Sequence, residues 1–438
     1  MSTEQLNIES FTRLTRPAGG SLQPLREAGM QRFLQTGLPK AKDEEWRFTN
    51  TDPLAEIDWQ LPTGMIDAAS LVAQHSLASA CTAELVLVNG RLNRDRSKVD
   101  GLSRGLTVGL LSDLPETVAA RCRSLLATLV DVEKTPFAAL NAGFLDQVIV
   151  IHAASAAEIA RPVHVLSLST TAGAPLLMCP RILVIAEEGA ILRVVETNAG
   201  DAADVAFSNA VTEVFIGRGA SVEHYQSNWT SYTTWSINNT VAQIAESGHY
   251  VNHSASLGGK LVRNDLEIIL DGPHADATLN GLLIVDKDRQ IDNHTLIRHE
   301  KPDCTSRELY KNVVGDQAFG VFKGRIFVQK DAQHTDSKQT NRTLLLTDQA
   351  MMESMPALEI YADDVKCTHG STTGPLDEDM LFYLRSRGLS TEASRHVLIY
   401  AFAADMTSRM NFSPARQKIE QYLAAQQGLP QDLRIEAT

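Results

Sequence analysis

The chain has 438 residues, more than one ordinary domain of roughly 100–200. Its 43% hydrophobic and 21% charged content supports a sizeable core and excludes general disorder. A formal net charge of −13 argues against nucleic acid as a partner, because phosphate neutralisation needs clustered Lys and Arg.

The N-terminal stretch carries Glu4 and Glu9 and lacks the apolar segment of a secretory signal. No run of about 18 apolar residues follows, so no membrane-spanning helix is expected. Residues 1–82 read as a helical domain. Pro24 to Leu34 has a period near 3.6 and is stopped by Gly37 and Pro39, and a further helical stretch spans Asp67 to about Ala80. Trp46 and Phe48, after the acidic Asp43-Glu44-Glu45, read as packing anchors.

From residue 83 the texture is that of strands, beginning with Glu84 to Val88 and a turn at Asn89-Gly90. A helical insertion is expected near 114–145. Apolar alternating runs then end repeatedly in an acidic or glycine turn and a small residue, as at Glu188-Gly189-Ala190, Arg218-Gly219-Ala220 and Asp303-Cys304. Self-similarity at such a period marks a solenoid. Two or three short strands per repeat suit the coil of a parallel β-helix, assigned to residues 83–366. Residues 367–438 return to helix. Asp377 and Ser390 are N-caps, Gly388 is a helix stop, and Ser413-Pro414 opens a third helix closed by Gly428.

The five cysteines, Cys81, Cys122, Cys179, Cys304 and Cys367, form no CxxC pair. Such a set reads as reduced thiols of a cytoplasmic protein and excludes a local four-cysteine metal centre. Cys367-Thr368-His369, where the last strand gives way to helix, is the most informative segment. Residues two apart on a strand share a face, with Cα atoms about 6.6 Å apart. A thiol and an imidazole there make half of a soft-metal site, two ligands short of the usual four. The same segment also reads as a small packed residue beside a turn histidine, and a cysteine-hydrolase dyad lacks an orienting partner. In Asp331–Asn341 the Gln, Thr and Asn side chains are expected to satisfy turn and ladder backbone groups. His294 and His299 match no zinc spacing, and no phosphate-binding loop is present, so no nucleotide site is expected.

Ala362 to Gly370, followed by Leu376-Asp377-Glu378 and Leu381 to Gly388, closely resembles the C-terminal signature of the SufB/SufD family. Phe322 to Ile326 and Gln339 to Arg342 with Leu344-Leu345-Leu346 look like that family's last coils. Phe33 to Pro39 with Lys42 to Arg47 resembles its SufD branch. The resemblance implies a right-handed parallel β-helix between helical terminal domains, acting as a non-catalytic scaffold in iron–sulfur cluster assembly. It further implies a SufB paralogue as partner and the SufC ABC-type ATPase docked on the C-terminal helices. A transient iron–sulfur cluster, or iron, would lie at the subunit interface with His369, and less firmly Cys367, as ligands. Movement of the helices would then change access to this strand, which is expected to be buried. Thr368 stands where the family often has Ser. Solenoid edges also permit a homodimer when the chain is alone. The competing readings are a SufB-type paralogue, a β-helix carbohydrate-active enzyme and a solenoid without a metal role.

Overall fold

Strands of about ten residues alternate with tight corners, and each strand lies in register on the one a full coil earlier. The computed structural model describes residues 9–14, 20–64, 66–133, 135–170, 173–201 and 205–426; Gly428, expected to close the last helix, lies outside them. Short helices open the chain: α1 (Glu9–Thr12), α2 (Gln23–Thr36), α3 (Asp52–Glu56) and α4 (Ala69–His75). Three strands follow, β1 (Ala83–Val88), β2 (Arg91–Leu92) and β3 (Leu106–Leu110), and then helices α5 (Glu116–Leu125) and α6 (Pro136–Gly143). Next come β4 (Ile149–Ala153), β5 (Val163–Ser169), β6 (Leu176–Met178), β7 (Arg181–Ala186), β8 (Ile191–Gly200) and β9 (Ala206–Ile216). The regular coils are β10 (Ser221–Trp229), β11 (Thr234–Ile244), β12 (His249–Ser256), β13 (Leu261–Leu270), β14 (Asp276–Val285) and β15 (Gln290–His299). They continue through β16 (Thr305–Val314), β17 (Phe319–Val328), β18 (Asp336–Leu345), β19 (Met351–Ile360) and β20 (Lys366–Gly374). Helices α7 (Glu378–Ser386), α8 (Thr391–Thr407) and α9 (Ser413–Gln426) close the described chain.

Two ten-stranded sheets result, one running β2-β1-β5-β8-β10-β12-β14-β16-β18-β20, the other from β19 through the odd-numbered strands to β7, β4 and β3, with β6 joined to β9. The chain alternates between the sheets, so it is a parallel β-helix of about eight turns with helices at either end. Two long strands serve each regular coil, where two or three short ones were expected. Successive partners from Ser221 to Lys366 are 27–31 residues apart.

The corners show why the repeat is legible in the turns. A residue of positive φ is followed by a small buried one at Gly189-Ala190, Gly219-Ala220, Ser247-Gly248, His274-Ala275 and Asp303-Cys304. Glycine reaches that conformation freely, and Ser, His and Asp tolerate it where β-branched residues do not. The small neighbour lets the chain fold tightly over the coil below.

Inside the first coils the lumen is apolar, lined by Val163, Val194, Val222, Ile216 and their neighbours. The insertion packs α5 against the outer face of β4 and β7 through Ala119, Cys122, Val150, Leu183 and Ile185. Helices α2 and α6 cross so closely that a Cβ on Gly29 would meet that of Ala142 at 2.6 Å. Beneath them Arg181 Nη2 donates to Glu213 Oε2 at 2.5 Å, and neither side chain has any exposure. Glu213 also accepts from the amides of Ala127 and Leu129, tying the insertion to the sheet. Desolvated charges are costly once unpaired. Glu213→Ala is therefore expected to lower stability by about 3–5 kcal/mol, read as a reduced urea midpoint; a loss below about 1 kcal/mol would show that the pair is not desolvated.

Candidate functional site

At the C-terminal end no coil covers the solenoid among the described residues. Among the described residues, strand β20 pairs on one side only, with β18, and β19 only with β17. Register puts Cys367 beside Ser337 and His369 beside Gln339. Ser337 and Gln339 are each 1% exposed and face the lumen. Cys367 and His369 thus continue two lumen-facing columns, and the period-two reading that they share a face holds.

The two residues meet different surroundings. Cys367 is half-buried against the hydrophobic core, and burial pushes its thiol up from the usual range. His369 is exposed. The expectation of a buried strand fails, because among the described residues no strand stacks on the outer side of β20 and most of its residues face solvent. The lumen mouth is braced across the sheets by Asn341 Nδ2, which donates to Ser354 Oγ at 2.8 Å, and by the Ser354–Ser371 hydroxyl pair at 2.8 Å.

Behind this mouth the lumen turns polar, a feature that sequence reasoning missed. Gln339 Nε2 donates to Glu308 Oε2 at 2.6 Å, and Ser306 and Ser337 hydroxyls meet at 2.7 Å. In the segment Asp331–Asn341, Gln333 and Thr335 bond turn backbone groups as expected, donating to the Lys330 and Ala332 carbonyls, whereas Ser337, Gln339 and Asn341 of β18 pair with side chains of other strands. A period-two polar pattern, Ser306-Glu308 one coil before Ser337-Gln339-Asn341, was the available signal. Nearer the middle, Asn238, Asn264 and Asn293 form a ladder of 2.9 Å hydrogen bonds.

The remaining candidates lie elsewhere. Among the described residues, no group of three or more His, Cys, Asp or Glu could hold a metal ion. Two donors at the mouth therefore need others from outside this cluster to complete a usual set of four. His294 lies on the outer face of β15, and His299 lies in the lumen, 3.0 Å from Ser306 Oγ. Burial pushes the Cys81 thiol up to about 12 and the Cys304 thiol up to about 11, so neither is poised as a thiolate. Trp46 packs on Phe137 with ring centroids 5.1 Å apart, under the Arg263 guanidinium at 3.7 Å, so it is a packing anchor.

Burial pushes the Glu308 carboxyl up from 4.5 to about 7, with the Thr295 hydroxyl and the Gln339 amide only partly opposing it. The folded state therefore favours the neutral acid. This contribution is greatest below pH 4.5, declines as pH rises through about 7, and is then constant. Glu308→Gln is expected to gain stability over the wild-type chain between pH 4.5 and 8, on the order of 3 kcal/mol at the upper end. Urea melts across that range measure it; a gap that does not change with pH contradicts it.

Comparison with known proteins follows this architecture. The profile described as "SUF system FeS cluster assembly, SufBD core domain" matches residues 168–402, and "SufBD protein N-terminal region" matches residues 5–165. An iron–sulfur cluster assembly SufBD family protein of Synechocystis is 30% identical over 88% of this chain and 86% of its own length. The iron–sulfur cluster assembly protein SufD of Escherichia coli is 29% identical over 94% and 95% of the two chains. Protein ABCI7 of the Arabidopsis thaliana chloroplast is 28% identical over 89% and 82%.

Proposed function

We propose a function from one premise: the chain belongs to the SufBD family of SUF iron–sulfur cluster assembly proteins. On this reading it is a non-catalytic scaffold subunit of the cytoplasm, and the cluster is its cargo. His369 supplies one ligand at the open lumen mouth, Cys367 a second, and a SufB paralogue seated on the uncapped end supplies the rest. The observation that carries the proposal is the unpaired end itself. A lumen-facing imidazole lies on a terminal strand whose outer edge still offers backbone hydrogen bonds to another chain. Apolar side chains line the same end, with Met351 58%, Ile360 38% and Tyr361 60% exposed. A second copy of the chain could cover this end in the absence of the paralogue.

The donor chemistry suits the cargo. Thiolate and imidazole are ligands of iron and of iron–sulfur clusters. Burial keeps the Cys367 thiol protonated, so it must lose its proton as metal arrives. His369 needs no such step beyond a neutral ring. This asymmetry makes the histidine the steadier ligand.

The C-terminal helices offer a docking face for SufC, the proposed ATPase partner. Asp377 caps α7 by accepting from the amides of Asp379 and Met380, while Met380, Phe382 and Tyr383 stand outward. Helix α8 is anchored to β16, where Lys311 Nζ pairs with Asp405 at 2.7 Å and donates to the Phe402 carbonyl at 3.0 Å. Strands β16 and β20 share a sheet, so ATP-driven movement of the helices has a direct path to the mouth.

In the co-expressed complex, His369→Ala is expected to abolish cluster formation while changing stability by less than about 0.5 kcal/mol, as for an exposed side chain. Iron and sulfide content read the first and urea melts the second; a normal cluster yield removes the ligand assignment. Phe382→Asp is expected to reduce ATPase recovered on co-purification by roughly tenfold or more, the effect of losing an interfacial aromatic anchor. Undiminished recovery moves the docking site elsewhere.

A further inference from the structure

Polar side chains that lie in register near the mouth bond to one another along their columns. Ser306 pairs with Ser337, Asn312 Nδ2 donates to Thr343 Oγ1 at 3.0 Å, and Gln339 Nε2 donates to Glu308 Oε2. Three acceptors in this pattern are left over among the described residues, Glu308 Oε1, Asn312 Oδ1 and Gln339 Oε1. Gln339 Oε1 is buried with no hydrogen-bond partner among the described residues, although buried acceptors are nearly always paired. The next residue in its column is His369, one strand spacing of about 4.8 Å further on.

The amide has little freedom to turn elsewhere. Gln339 reaches across the lumen to the opposite sheet, where any Cβ on Gly324 would collide with its amide nitrogen. Glycine at 324 makes room for this crossing. With its nitrogen committed to Glu308 Oε2 behind it, the amide oxygen has two donors to accept from, the neutral Glu308 acid and the residue ahead.

We infer that Gln339 is a positioning residue for His369. Its Oε1 accepts a hydrogen bond from the proton-bearing ring nitrogen, which selects one neutral tautomer and turns the other nitrogen out of the lumen toward incoming iron. Histidine ligands generally need such a partner for their second nitrogen. The inference rests on the reading of His369 as a ligand, but its structural part can be measured without metal.

The test uses the full-length iron-free chain with isotope-labelled histidine at a pH where the ring is neutral. The His369 ring-nitrogen signals, assigned with His369→Gln among 12 histidines, report the tautomer ratio by NMR. One tautomer is expected in roughly tenfold excess, as one hydrogen bond can impose. Gln339→Leu should bring the ratio to within about threefold of even, whereas Gln339→Glu, which keeps an acceptor oxygen, should preserve the bias. Should Gln339→Leu not fold, Gly324→Ala displaces the amide and should also lose the bias. In the assembled complex, Gln339→Leu should weaken iron retention by about 10–100-fold. An even ratio in the wild-type chain, or an unchanged one in Gln339→Leu or Gly324→Ala, overturns the inference. Because the ratio is read without iron, its outcome is independent of whether His369→Ala still forms clusters.

Discussion

In-register parallel stacking governs this molecule. Each coil hydrogen-bonds to the coils before and after it, so a residue's neighbours above and below lie 26–32 positions away along the regular turns. Every lumen position must therefore suit a whole column. Such stacking also leaves two ends whose backbone groups are unpaired. At the start the chain protects its end, with β2 turning back antiparallel on β1 and β3 on β4. No comparable strand follows β19 or β20 among the described residues. Pro356 within β19 fits an edge, because proline cannot donate to a further ladder.

The lumen changes character along its length. Early coils are filled by Val, Leu and Ile, which need only shape to pack. The later coils carry asparagine, glutamine, serine and glutamate in matched columns. A buried polar group is costly unless it is paired, so these columns specify register more sharply than aliphatic ones. They end at the mouth, where the last members, Cys367 and His369, have a neighbour on one side only. The residues proposed to meet iron are thus the ends of an interior column brought to the surface because the solenoid stops.

Much of the architecture was legible beforehand. The corners announced themselves because positive φ and a small buried neighbour restrict residue choice, so Gly189-Ala190 and Gly219-Ala220 stand out. The caps at Asp377 and Ser390 and the stop at Gly388 were equally local, and each is present. Strand length was less clear. A strand buried on both faces loses its alternation, and β9, buried throughout, shows none. At the site, the shared face of Cys367 and His369 followed from period two alone. The exposure of β20 did not, since burial depends on whether another coil covers the strand.

The sequence by itself determined the repeat, the helical ends and the family signature around Cys367 and His369, because turns, caps and short motifs act over a few bonded neighbours. Only the tertiary structure decided that Glu308, Gln339 and His369 form one column, that Gly324 opens space for Gln339, and that the column ends in solvent. Those relations join residues a full coil apart through space, and their strength comes from desolvation, which arises only once the two sheets close around the lumen.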